Sequence, residues 1–171
     1  MNTVAAIAQL LVAVAFLTIP LVRHRYGAAA KASAEAELER QGVPLGVLEA
    51  NNLRFDASGH ETYAPLSVAA LMAAVAGLHL ADSSWATPLT WIFQSIVLIG
   101  NALILHSQLT AAQSVSAAFE RKGDPVLQRI DVPALLEAAE DAFPSWVSAL
   151  QNARHTVVFA GSALALVAVA L

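Results

Sequence analysis

The chain has 171 residues, of which 57% are hydrophobic and 13% charged, and its formal net charge is -4. A typical soluble domain is about 25% charged, so the composition points to a bilayer as solvent, and basic residues scattered along the chain exclude the concentrated positive face that nucleic acid requires. The absence of cysteine excludes disulfides, Cys-ligated clusters and thiol chemistry from its own side chains.

A membrane-spanning helix needs roughly 20 mostly apolar residues. The first such run is Val4 to Val22. No basic residue precedes it and "RHRYG" follows it, the reverse of a secretory signal peptide, so it reads as an uncleaved span. "AAAKASAEAELERQG" is rich in helix formers and ends on Gly42, a natural residue just past a helix end, so it continues the first helix. "VPLGVLEANN" allows one short helix. The second span is Pro65 to Ala81 and the third Trp85 to Leu105, with "SQLTAAQSVSAAFERKG" extending the third as helix up to Gly123. Asp131 then caps an amphipathic helix over about 132–152, with Pro133 in its first turn. Leu135, Leu136, Ala139, Phe143, Trp146, Val147 and Leu150 form its apolar face, opposite Glu137, Glu140 and Asp141, and Pro144 kinks it. The fourth span is Thr156 to Leu171, which Asn152 to His155 extend into the interface.

All nine basic residues fall on one side. Arg23, Arg25, Lys31, Arg40 and Arg54 lie between the first two spans, and Arg121, Lys122, Arg129 and Arg154 between the last two. Cytoplasmic segments collect Lys and Arg. The expected fold is therefore an all-α integral membrane protein, a four-transmembrane-helix antiparallel bundle in a bacterial inner membrane. It forms a single membrane domain over 1–171, with helical cytoplasmic loops at about 23–64 and 106–155 and both termini external. Trp85 and Trp91 mark the external interface. Ala69, Ala73 and Gly77 on the second span, and Gly161 and Ala165 on the fourth, have the small-residue spacing that lets helices approach closely.

Inside the spans there is no Asp, Glu, Lys or Arg, which disfavours a proton-coupled transporter. Gln94 and Asn101 instead form a polar seam on the third span, in register with Thr87 and Gln108. Their amides need partners in hydrocarbon, and Gln9, Ser67 and Ser162 are the candidates. His24, His60, His106 and His155 each fall at the cytoplasmic end of a span, while His79 stands alone near the external end. Facing imidazoles ligate haem or a transition metal, so these four are weak metal candidates, although no H-x-x-x-H spacing supports them.

The densest polar stretch is "NLRFDASGHETYAP", ahead of the second span. Arg54, Asp56, His60, Glu61 and Tyr63 form a candidate polar or ligand cluster, with acid, base and anion-binding groups within a few positions. The same residues serve as helix entry: Ser58 and Glu61 fit a capping box, and a helix restarting at Thr62 or Ala64 would place Pro65 in its first turn.

Arg54, Ser58 and Glu61 also stand at the spacing of an Arg-x-x-x-Asn-x-x-Glu run, with Tyr63 and Pro65 following. In this, and in its four spans with a long first loop and a tight second link, the chain resembles the MAPEG membrane proteins, which include glutathione transferases. The resemblance covers about residues 1–108 and implies that Arg54 and Glu61 act on a thiol cofactor and a lipophilic substrate. Ser58 replaces the Asn of that run, and the long loop from His106 onward is foreign to the family.

The residues favour a non-catalytic interaction protein with no cofactor, an accessory or scaffold subunit of a larger bacterial membrane complex. Its expected partners are membrane lipid and either other membrane subunits or copies of itself, and Leu136, Phe143, Trp146 and Leu150 are the candidate partner-binding face. The MAPEG-like enzyme is the alternative, and a haem- or metal-binding four-helix membrane protein the further alternative.

Overall fold

The computed structural model describes residues 1–51, 53–55 and 59–171, without the side chains at 60 and 61. Among the described residues the structure is helical, with no strand. The α-helices are α1 (Asn2–Arg40), α2 (Val47–Ala50), α3 (His60–Leu80), α4 (Ala86–Leu109), α5 (Ala111–Lys122), α6 (Val132–Asp141) and α7 (Trp146–Ala170), with a single 3₁₀ turn at Leu127–Arg129. Four of them, α1, α3, α4 and α7, are long and apolar enough to cross a membrane.

The 39 residues of α1 run to about 58 Å at 1.5 Å per residue, well beyond a hydrocarbon core of about 30 Å. Pro20 lies inside it and removes one backbone bond. At its end Val43 N donates to Leu38 O and Gly42 N to Glu39 O, a Schellman motif that requires a left-handed residue; Gly42 supplies it at φ +70°. α3 closes in the same way, with Ser83 N on Leu78 O and Asp82 N on His79 O, but here a non-glycine, Asp82, takes φ +50°.

Three helix boundaries depart from the sequence reading. The helix expected to run from the third span to Gly123 breaks at Thr110, so that α4 ends at Leu109 and α5 begins at Ala111. α3 begins at His60 rather than Pro65, because the carbonyl of Gly59 accepts from both Thr62 N and Tyr63 N. Gly59 has φ +61° and ψ -125°, a backbone that only glycine adopts readily, and Pro65 ends up inside the helix. The helix expected over 132–152 is two helices. Pro144 has no amide to donate, and it disfavours helical backbone at Phe143. So α6 stops at Asp141, and the chain restarts with Val147 N donating to Pro144 O. Leu136 therefore belongs to α6, Phe143 lies in the break, and Trp146 and Leu150 open α7.

The chain divides into two compact units. The first is Met1–Leu21, Gly59–His106 and Ser148–Leu171. Val12, Ala13, Ala15 and Phe16 of α1 pack there with Ala69 and Met72 of α3, Val97 of α4 and Val158 of α7. Its exterior is apolar: Ile7, Leu11 and Val14, Ile92, Ile96 and Leu103, and Val167 are exposed. Its interior holds Gln9, His79, Thr90, Gln94, Asn101, His155 and Ser162. Apolar outside and polar inside is the arrangement a bilayer selects.

The small-residue stripe of α3 is not the packing surface. Ala69 is buried, but Ala73 and Gly77 are exposed, and a methyl added at Gly77 meets nothing within 4 Å. The close approach is at Gly161, where an added methyl would meet Val12 Cγ2 at 3.0 Å and Ala8 O at 3.4 Å.

The second unit is Val22–Ser58 and Ser107–Val147. Its core joins Ala34 and Leu38 of α1, Val43, Leu48 of α2, Phe119 of α5, Leu127 and Ile130, and Val132, Leu135 and Ala139 of α6. Asp131 caps α6 by accepting from Ala134 N at 3.1 Å. Gln41 ties that cap to the end of α1: its Oε1 accepts from Asp131 N at 2.8 Å and its Nε2 donates to Glu37 at 2.6 Å.

Candidate functional site

The first unit carries its chemistry on one face of α4. Ala86, Thr90, Gln94, Val97 and Asn101 are buried, a spacing of four, four, three and four that follows the 3.6-residue turn. Three of these five are polar, and each reaches another helix. At one end Gln9 Nε2 of α1 donates to Thr90 Oγ1 at 2.9 Å, and His79 Nε2 of α3 lies 2.7 Å from the same oxygen. The Thr90 hydroxyl also lies 2.8 Å from Ala86 O. A hydroxyl has one proton, which goes to that carbonyl or to His79 according to the His79 tautomer. In the middle, Gln94 Nε2 donates to Ser162 Oγ of α7 at 2.7 Å. At the far end His155 Nδ1 is 3.2 Å from Asn101 Oδ1, which can only accept, so His155 carries its proton there. His155 Nε2 then accepts from the Arg154 guanidinium at 3.2 Å.

Thr90 and Asn101 are about 16 Å apart along α4, so the seam is long and its parts are separate. Four of its buried atoms find no hydrogen-bond partner: Gln9 Oε1, His79 Nδ1, Gln94 Oε1 and Asn101 Nδ2. Seven residues of sequence spacing captured Gln94 and Asn101 but not Thr90, and the two outer members, Thr87 and Gln108, are exposed. His79 is not alone: it shares Thr90 with Gln9. The signal for this cluster was present in the sequence as three polar residues lying on three apolar helices, but nothing in their spacing joins them.

The polar stretch ahead of α3 is only partly described. Arg54 is exposed in the second unit, and Tyr63 is 71% exposed on α3. Asp56 and Ser58 lie outside the described residues, as do the side chains of His60 and Glu61, and with them the capping box. Of the four histidines expected at the cytoplasmic ends of the spans, His24 and His106 are exposed, and His155 is buried against Asn101 and Arg154. Among the described residues no three His, Asp or Glu side chains come together as a metal site. Both ring nitrogens of His155 are already engaged.

The amphipathic face is divided: its residues up to Val147 belong to the second unit, and Leu150 belongs to the first. Leu135 and Ala139 are buried in the core of the second unit with Leu136 packed against them. Phe143 and Trp146 both meet Tyr26 of α1 edge-on, with ring centroids at 6.4 and 5.9 Å. Trp146 is still half exposed, and Leu150 is partly buried.

No protein-family model matches the chain, and no curated protein or solved structure is significantly similar to it. The resemblance to MAPEG proteins thus rests on residues 54–65 and the span layout alone.

Proposed function

We propose that this chain is a non-catalytic integral membrane interaction protein, an accessory or scaffold subunit of a larger complex in a bacterial inner membrane. In this reading α1, α3, α4 and α7 form an antiparallel bundle, with both termini external and the second unit cytoplasmic, which the confinement of Lys and Arg to two of the links between spans supports. The five-residue link between α3 and α4 favours antiparallel neighbours.

One observation carries the functional reading. The polar side chains buried in the first unit are neutral amides, hydroxyls and imidazoles, and each is spent on another helix. Such bonds fix helix against helix; they present neither a nucleophile nor a charge relay to a substrate. The second unit supplies a folded, water-facing layer whose exposed Glu137, Glu140 and Asp141 and half-exposed Trp146 suit a protein partner better than an anionic lipid surface.

Purification of the tagged chain from its native membrane in mild detergent tests this. Stoichiometric membrane subunits that stay bound through size exclusion are expected. A chain that elutes alone and monodisperse contradicts it. Glutathione that raises the thermal midpoint, with the effect lost in Arg54→Ala, would favour the transferase reading in its place.

A further inference from the structure

We infer that an open groove on the second unit, between α5 and the segment 127–132, seats one long basic side chain, arginine or lysine, of a partner protein. The inference rests on the interaction-protein reading above and gives that partner a chemistry. The groove measures about 330 Å³. Phe119, Leu127, Ile130 and Val132 line it with apolar side chains that also belong to the core of the unit. Ser116, Glu120 and Gln128 are its polar lining, and Glu120 is the one charged residue among them. Ser116 and Glu120 stand four apart on α5, so they share a face of that helix.

Charge and size select the occupant. Glu120 is exposed, and its carboxylate forms no ion pair among the described residues. Its two basic neighbours on α5 are engaged elsewhere: Arg121 Nε donates to Ala117 O at 3.1 Å, and Lys122 Nζ to Asn51 Oδ1 at 2.5 Å. Arg129 follows Gln128 in the chain but does not line the groove. An anion would therefore meet an unopposed carboxylate, and a wholly apolar side chain would strip water from it without returning a hydrogen bond. Arginine and lysine match both halves of the groove. The methylene stem covers the apolar lining, and the head donates to Glu120, with the Ser116 hydroxyl and the Gln128 carbonyl as further acceptors. Small-molecule pockets run from about 300 to 1,000 Å³. A groove at the bottom of that range suits one side chain and is too small for a docked helix or a large cofactor.

The test is photocrosslinking of the full chain in its native membrane, with p-benzoylphenylalanine in place of Ala117, which is exposed, one turn before Glu120 and outside the groove lining. The expected adduct joins one other protein, through a segment that carries an Arg or Lys beside the crosslinked residue. Glu120→Lys should abolish it. Glu120→Gln should lower its yield about tenfold, the worth of one charge-assisted hydrogen bond, and changing the partner's Arg or Lys to Met should do the same. Glu39→Gln, an equal change of charge at an exposed position of α1, should leave the yield unchanged. The thermal midpoint of Glu120→Gln should equal that of wild type, which separates lost contact from lost fold. An adduct to a segment without Arg or Lys, to lipid or to a second copy of this chain overturns the inference, as does a yield unchanged in Glu120→Gln. Subunits that co-purify while no adduct forms overturn it and leave the scaffold reading standing; a chain that elutes alone overturns both.

Discussion

Gln94 and Ser162 form a bond in which each residue has a replaceable partner, so its worth can be separated from the cost of breaking it. Ser162→Ala leaves the buried Gln94 amide without its one partner among the described residues. The loss should be about 1 kcal/mol, near the upper part of the range for interhelical hydrogen bonds in membranes. Gln94→Leu with Ser162→Ala removes both polar groups, and the double variant should be closer to wild type than Ser162→Ala alone. Reversible unfolding in detergent, read by helicity, measures both. At this scale the sequence showed which residues must find partners, since an amide in hydrocarbon cannot stay unpaired. It did not show the partners: Gln9, one of the three candidates for Gln94, bonds to Thr90 instead. Thr90 itself is inconspicuous, because a threonine in a helix can satisfy its hydroxyl on the preceding turn, where Ala86 O lies 2.8 Å from that of Thr90.

Helix limits were set by residues whose chemistry is local. Length and apolarity placed four spans, and Asp131 and Gly42 marked ends that the structure shares, whereas Pro144, expected to kink one helix, separates two. Which face of each span turns inward was less legible. α3 is apolar nearly all round, so its pattern does not separate Ala69, Met72 and Ala76, which are buried, from Ala73 and Gly77, which are not. The end of α1 gives a test at this scale. Arg40 bonds Glu37 through both Nε and Nη2, at 2.7 and 2.6 Å, and Gln41 adds a third bond. The Arg40 guanidinium first, and the Gln41 amide second, lower the Glu37 carboxyl from its ordinary 4.5 to about 2. The folded chain therefore keeps this charge at pH values where the unfolded chain takes up a proton. The contribution is complete above about pH 5, shrinks as the pH falls, and is gone near pH 2. The thermal midpoint of Glu37→Gln should lie below wild type at pH 7 and approach it as the pH is lowered toward 3. A gap independent of pH would show that the carboxylate is not the source.

For the whole molecule we propose a four-span membrane protein with α2, α5 and α6 on the cytoplasmic side. The basic residues carry that claim, because every one of them lies between the first and second spans or the third and fourth. Partner identity was never legible, since a half-exposed Trp146 and an acidic surface describe the chemistry of a contact without naming what makes it. Sidedness can be measured directly, and the chain has no native cysteine to confuse it. Single cysteines at Ser83, between α3 and α4, and at Ser116, on α5, would be treated in intact cells with a membrane-impermeant maleimide. The account predicts that Ser83→Cys is labelled from outside and that Ser116→Cys is labelled only after permeabilisation. Labelling of Ser116→Cys in intact cells, with Ser83→Cys protected, would contradict it.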